Sequence, residues 1–456
     1  MKLKNFCLNS ALVNSVLVKG SVVAICSALF LAGCQDKSNE SASPAQVSSE
    51  QSSPLKSTQA ESVQQKNLQA KTIQPLDAEQ AKMLAKKYII VDTHIDVPFR
   101  LDSEYEDVAH ATPHGDFDYP RAVNGGLDAP FMSIFIPASY EEKGGSYQKA
   151  NELIDIVEGL VKANPDKYAL AYSTKDVMNN FKQGIISLPM GMENGSPIEG
   201  KLENLAYFFN RGIRYITLAH SKANHISDSS YDENRPAKGL TEFGKKLVKA
   251  MNDIGMMIDV SHISDEAFYQ VMKISQTSVI ASHSSARHFT PGFERNMSDD
   301  MIKLLAKNGG VIQINFGSGF VSQKSIEHWN TFKQAREDFI KENNVERYSD
   351  EVKAFSKAYR EKNPYVYATL NDVLDHFDHV VKLVGIDYVG IGSDYDGVGD
   401  SLPNGLKDVA SYPNLIQGLS ERGYTEQDIA KILSGNVMRV WRQVEEYAEQ
   451  QKLAAQ

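Results

Sequence analysis

Eight short apolar runs, each followed by a stretch of helical pattern, constrain this chain more than any other feature. They are YIIVDTH (88–94), APFMSIFI (129–136), GIISLPMGME (184–193), IRYITLAH (213–220), MMIDVSH (256–262), SVIASH (278–283), GVIQINF (310–316) and YVGIGSD (388–394). Most are continuously hydrophobic rather than alternating, as parallel strands covered on both faces are. Between them lie amphipathic segments such as SYQKANELIDIVEGLVKAN, KLENLAYFFNRG, TEFGKKLVKAMNDIG, DEAFYQVMKIS and DDMIKLLAKNGG. Several of these stop at glycine, a common helix terminator. Strand alternating with helix eight times is the pattern of an α/β fold of the (β/α)8, or TIM, barrel type.

The connection between the seventh and eighth runs, 317–387, is too long for a single crossover. It contains SIEHWNTFKQAREDFIKENN and SDEVKAFSKAYREKN, and is read as a helical insertion between strands 7 and 8. LSGNVMRVWRQVEEYAEQQ is expected to close the barrel as a helix, with the folded body spanning 76–446 and 447–456 left as a tail. Residues 34–75 are rich in Ser, Gln, Ala and Glu with almost no aromatics, so they are expected to form a flexible tether.

The first 33 residues read as an address. They begin MKLK, carry an apolar stretch too short to span a bilayer, and end in Leu31-Ala32-Gly33 before Cys34. This resembles a bacterial lipobox, which implies a signal peptide over 1–33 and lipidation of Cys34. Acyl chains there would anchor the protein to a membrane. Gln35 follows the cysteine where an Asp would favour inner-membrane retention, so the expected location is the outer membrane, facing the periplasm, of a Gram-negative envelope. The other two cysteines, Cys7 and Cys26, also lie in this leader, so the body has no disulfide and no thiolate metal ligand.

The net charge is −10. Because 1–34 holds three lysines and no acid, the remainder has 45 basic against 58 acidic side chains, a net −13. Such a balance argues against a nucleic-acid partner, which needs clustered Lys and Arg.

Polar groups gather where the apolar runs end. His94 and Asp96 finish the first, Glu193 the third, His220 the fourth, His262 the fifth, His283 the sixth and Asp394 the eighth. In a (β/α)8 barrel these ends converge on one face, where active sites lie. Imidazole and carboxylate suit a Zn2+-like ion. With this many ligands two ions are plausible, which would activate a bridging water and polarise a carbonyl while a spare carboxylate moves the proton. The expected chemistry is metal-assisted hydrolysis of an amide or ester.

The motifs VDTHID, GMENG, ITLAHSKAN, IDVSHIS, SHSSAR, RNMSDD and VGIGSDYDG, in that order over about residues 88–440, make the chain resemble the membrane dipeptidase (renal dipeptidase) family, peptidase family M19, as a bacterial lipoprotein member. The resemblance implies zinc-dependent hydrolysis of dipeptides by a metal-bridging hydroxide, with tolerance of a D-residue at the C-terminal position. It implies two Zn2+ per chain: one on His94, Asp96 and Glu193, the other on the shared Glu193 with His262 and His283. His220 would hydrogen-bond the substrate carbonyl as it becomes an oxyanion, Arg295 would pair with the dipeptide carboxylate, and Asp394 would be the proton shuttle. A homodimer is implied in the same way. The chain departs from mammalian members: HSKAN lacks their cysteine near the strand-four histidine, and Ser393 stands where they have glycine. A related amidohydrolase acting on N-acyl amino acids, β-lactams or lactones, and a non-catalytic binding lipoprotein, are the alternative readings.

Other polar residues leave choices open. Asp396 competes with Asp394, since alternate residues of a strand share a face. Asp92 and Asp259 either orient the neighbouring histidines or simply end strands. His225 and His288 are candidate partners of the ligands, and Arg121 and Arg287 stand behind Arg295 as carboxylate partners. His110 and His114 read as loop residues, and His328, His376 and His379 as plain helix residues.

Overall fold

The computed structural model describes residues 74–347 and 349–454. The leader, Cys34 and all but the last two residues of the expected tether lie outside them. Among the described residues no helix is long and apolar enough to cross a membrane.

All eight apolar runs become strands of one parallel sheet whose order follows the sequence. They are β1 (Val91–Ile95), β2 (Ala129–Phe135), β3 (Met190–Glu193), β4 (Ile213–Thr217), β5 (Met257–Asp259), β6 (Ile280–Ala281), β7 (Val311–Ile314) and β8 (Val389–Ile391). The sheet curls into a nearly closed barrel. β8 returns to β1 through a parallel bridge between Ile95 and Tyr395, and through Asp394 N–H donating to the His94 carbonyl at 3.1 Å. Asp92, buried below this seam, accepts from Ser393 N–H (3.0 Å), His94 N–H (3.1 Å) and the Tyr412 hydroxyl (2.6 Å). It therefore joins the first strand to the last rather than touching the His94 ring.

The barrel is filled, as TIM barrels are. Val91, Phe131, Tyr215, Met257, Ile280 and Val311 pack with Trp441 of the closing helix Asn436–Ala454, the Phe131 and Trp441 rings lying 5.2 Å apart. That helix runs eight residues past the boundary expected at 446, because Ala448 still packs on the body. The outer helices are set by local signals. Thr241, Ser264 and Ser298 each cap a helix by accepting the backbone N–H three residues on.

Two features differ from the sequence expectation. The third run is broken at Pro189, which has no N–H to donate. Its first half, Ile186–Leu188, leaves the barrel and pairs with Tyr168–Leu170 in a separate two-stranded sheet. The segment 317–387 is not wholly an insertion either. Helices Gln323–Asn343 and Asp350–Lys362 are extra and pack on each other through Phe339 and Phe355, whose rings stack at 4.4 Å. Helix Leu370–Val384, capped by Thr369 and Asp372, buries Val373, Leu374, His376, Phe377 and Val380 and is the barrel's own crossover helix.

Candidate active site

Most of the site residues stand just beyond the strands, not on them. β4 ends at Thr217, β5 at Asp259, β6 at Ala281 and β8 at Ile391, so His220, His262, His283 and Asp394 lie two or three residues further on. His262 and Asp394 have φ of +68° and +65°, and Asp396 and Asn194 are also left-handed. Such backbone is costly for non-glycine residues and collects at functional sites. Here it is part of the turn that each segment makes on leaving its strand. The same turn separates the two candidate carboxylates. Asp394 joins the central cluster, whereas Asp396 is taken by Arg100 (3.0 Å) and the Asp116 N–H (2.5 Å).

Glu193 is the hub. Its Oε1 lies 3.0 Å from His262 Nε2, 3.3 Å from His283 Nε2 and 3.5 Å from His220 Nε2, and its Oε2 lies 3.4 Å from His94 Nε2. His94 Nε2 is also 3.5 Å from Asp96 Oδ2, and the His262 and His283 Nε2 atoms are 2.8 Å apart. Potential ligand atoms fall into overlapping groups: His94, Glu193 and His283; Glu193, His220 and His262; and His94, Asp96 and Asp394. Gly397 backs the carboxylates; a Cβ there would meet both Asp96 Oδ2 and Asp394 Oδ1 at 2.2 Å.

The hydrogen bonds behind the imidazoles fix which nitrogen faces the centre. The Tyr215 hydroxyl donates its one proton to the Thr93 carbonyl at 2.9 Å, so it accepts from His94 Nδ1 at 2.8 Å. His94 therefore carries its proton on Nδ1 and turns Nε2 toward Glu193 and Asp96. Ser282 Oγ donates to Asp259 Oδ2 at 2.6 Å and so accepts from His283 Nδ1 at 2.7 Å, which turns His283 Nε2 inward in the same way. Asp259 accepts from Thr217 Oγ, Ser261 N–H and Ser282 N–H; it orients His283 through Ser282 and does not touch His262. Orienting contacts of this kind are what metal-ligating histidines have. Gly191 makes the first of them possible, since a Cβ there would overlap the Tyr215 ring.

Charge points the same way. Burial alone would lower the His94 pKa, but Tyr215, Glu193 and Asp96 outweigh it and hold it well above the ordinary histidine value. Burial would raise Glu193, yet the surrounding imidazoles hold it well below the usual carboxylate range. Burial and the nearby Arg295 charge keep His262 neutral, and burial with His94 and Arg295 does so for His283. The centre thus presents carboxylates and inward-turned imidazoles. Buried His94 Nε2, Asp96 Oδ1, His220 Nδ1 and His262 Nδ1 have no hydrogen-bond partner. Ligands about 2.0–2.2 Å from a zinc-like ion are about 3.0–3.5 Å from one another, the spacing seen around Glu193. The residues fit a metal.

Asp394 is the titratable group in this cluster. Its carboxyl is raised to about 7, chiefly by burial, with Asp96 and Glu193 adding to the rise and His94 and Arg295 opposing it. Asn315 Nδ2 donates to its Oδ2 at 2.7 Å. His220 is the most exposed of the four imidazoles, its side chain 21% accessible against 0% for His94, 6% for His262 and 1% for His283. Its ring packs edge-on against Phe135 at 4.7 Å, and burial lowers its pKa. Arg295 is buried beside the cluster, donating to Ser284 Oγ and the His283 carbonyl, both at 2.7 Å.

The chain belongs to the membrane dipeptidase family, peptidase family M19. The family model matches residues 78–455, nearly the whole described body. Mouse dipeptidase 3 is 32% identical over 380 residues, covering 81% of this chain and 67% of its own length, and dipeptidase tcpJ of Claviceps purpurea is 30% identical over 361 residues, covering 78% and 75%. Among solved structures, the probable dipeptidase PvdM of Pseudomonas aeruginosa is 26% identical with a TM-score of 0.71, covering 81% of this chain and 99% of its own. A Rhodobacter sphaeroides metallo peptidase, crystallised with a phosphinate mimic of the dipeptide L-Ala-D-Ala, shares the fold at 22% identity and TM-score 0.64, covering 78% and 99%. The M19 chain described here is accordingly a metal-dependent dipeptidase by family.

The structure brings His94, Asp96, Glu193, His220, His262, His283 and Asp394 together, with Arg295 alongside. It does not bring in the rest. Arg121 is held by Asp118 and the Gly115 carbonyl, and Arg287 by Asp265. His225 pairs with Glu141, and His110 and His114 pair with Asp107 and Glu106 in their own loop. Tyr215, Ser282 and Asn315 were not foreseen. Each is a polar side chain inside an apolar run (IRYIT, SVIASH, GVIQINF), and that incongruity is the sequence signal that marks them. We expect Tyr215→Phe, which frees the His94 tautomer, to weaken metal binding about 10–100-fold with little change in fold, as read by competition with a chromophoric chelator.

Proposed function

We propose that this M19 enzyme hydrolyses free dipeptides with two zinc ions, one on His94, Asp96 and Glu193 and the other on Glu193, His262 and His283. The observation that carries the reading is the pair of imidazoles locked by Tyr215 and Ser282 with their Nε2 atoms turned on Glu193. Bound zinc lowers the pKa of a water and polarises a carbonyl. The chain's own groups supply the rest. Arg295 uses two of its five N–H donors on Ser284 and His283, leaving three, and a dipeptide carboxylate is the ligand a guanidinium recognises best. His220, its pKa lowered by burial and its Nδ1 without a partner, donates to the carbonyl oxygen as charge builds on it. Asp394, with a carboxyl near neutrality and Oδ2 held by Asn315, takes a proton and returns it to the leaving amine nitrogen.

The site's recognition of a carboxylate, and the relative crystallised with an L-Ala-D-Ala mimic, support tolerance of a D-residue at the C-terminal position. The leader supports a lipid anchor on Cys34 that places the enzyme at the outer membrane, facing the periplasm. A homodimer is part of the same proposal. The test is a panel of L,L and L,D dipeptides with N-acetylated and C-amidated controls. Cleavage of both free series, with the two blocked series spared, is the expected result. Equal turnover of the N-acetylated peptides would move the substrate to N-acyl amino acids.

A further inference from the structure

A second ligand cluster lies on the outer wall of the barrel, away from the site. His288, Asp299 and His379 each offer a ligand atom, and these atoms lie within 4.8 Å of one another. His379 Nε2 is already 2.7 Å from Asp299 Oδ1, and the His288 and His379 rings stack at 4.4 Å with 18° between their planes. The three residues come from three elements: the 3-10 turn Arg287–Phe289, the first residue of helix Asp299–Lys307, and the outer face of helix Leu370–Val384.

What distinguishes this cluster from a chance surface grouping is that its three backbones are fastened to one another. Buried His376, one turn before His379, accepts from Ala286 N–H on Nδ1 at 3.0 Å and donates from Nε2 to the Val321 carbonyl at 3.2 Å. Both of its nitrogens are used, so it fixes the crossover helix to the turn that carries His288. Ala286 in turn bridges to Met297, with Arg287 N–H donating to the Met297 carbonyl at 2.8 Å and Met297 N–H to the Ser285 carbonyl at 2.9 Å. That pairing sets the start of the Asp299 helix. Phe289 packs against His376 at 4.5 Å, His288 at 4.9 Å and His379 at 5.6 Å, and limits the movement of the rings. Ligands held on pre-organised elements are what a metal site requires.

We propose that His288, Asp299 and His379 form a further transition-metal site, separate from the catalytic centre. Two imidazoles and one carboxylate suit Zn2+, and also Ni2+ or Cu2+, over the oxygen-seeking Mg2+ and Ca2+. Tetrahedral ligation needs ligand atoms about 3.3 Å apart with each lone pair aimed at the ion, so the exposed His288 ring would turn out of its stack on His379 to complete the site. His288 is exposed, so the fourth position is open to water or an outside donor. An ion there would staple segment 286–299, which carries Arg295, to the crossover helix.

The test is equilibrium dialysis of the full chain against buffered free Zn2+ rising from the nanomolar to the micromolar range, with bound zinc counted per chain. Wild type is expected to bind one more ion than His288→Ala at the high end, while the two keep equal peptidase activity at low zinc. Asp299→Asn serves as the second variant, and if His288→Ala were to misfold by circular dichroism, it would carry the comparison. Equal zinc counts in wild type and folded variant would overturn the proposal. Because the readout is a difference in bound ions, it stands whether or not the barrel centre cleaves dipeptides.

Discussion

Asp394→Asn is expected to lower kcat about a hundred- to ten-thousand-fold, the usual contribution of a positioned acid–base group, while metal content stays at the wild-type level. The carboxyl is the one acidic group of the cluster raised to about 7, chiefly by burial, and an amide of the same shape keeps a hydrogen bond to Asn315 but cannot carry a proton. Retained metal separates this outcome from simple damage to the centre. The pH profile gives a second reading. A shuttle must be ionised to accept a proton, so wild-type activity rises with pH through the titration of this group, and that limb is lost from the residual activity of the variant. Asp396→Asn, by contrast, breaks a contact with Arg100 outside the cluster and is not expected to reproduce either effect.

Glu193→Gln is expected to abolish metal binding at the barrel centre and with it activity. Glu193 is the carboxylate that four imidazoles share, and without its charge their inward nitrogens have only Asp96 and Asp394 to balance an ion. The effect is visible without substrate. A ligand that binds only the folded state stabilises it by about 2.7 kcal/mol at a hundred times its Kd. Wild type should therefore melt at higher temperature in nanomolar buffered zinc, too low to fill the outer cluster, than in chelator, and Glu193→Gln should melt at the same temperature in both. A shift retained in the variant at that zinc level would remove Glu193 from the metal site.

The barrel was legible because parallel strands buried on both faces leave uninterrupted apolar runs, and eight of them with helices between admit few architectures. The ligands were legible because strand ends converge. What the sequence concealed is local backbone geometry. Side-chain alternation puts Asp394 and Asp396 on one face, but the strand stops at Ile391 and left-handed turns send the two carboxylates to different partners. Pro189 divides a run that looks continuous. Helix Leu370–Val384 lies within the long connection 317–387, and only packing shows that it covers the barrel. Tyr215, Ser282 and Asn315 act through ligands far away in sequence, so their roles appear only once the strands are side by side.

The most direct test of the central claim is dipeptide hydrolysis by the purified chain before chelation, after exhaustive chelation and after zinc is returned. Activity that disappears with the metal and comes back with about two equivalents of zinc is the predicted result for two ions around a shared Glu193. Turnover that persists in fully metal-free protein would contradict the account at its centre.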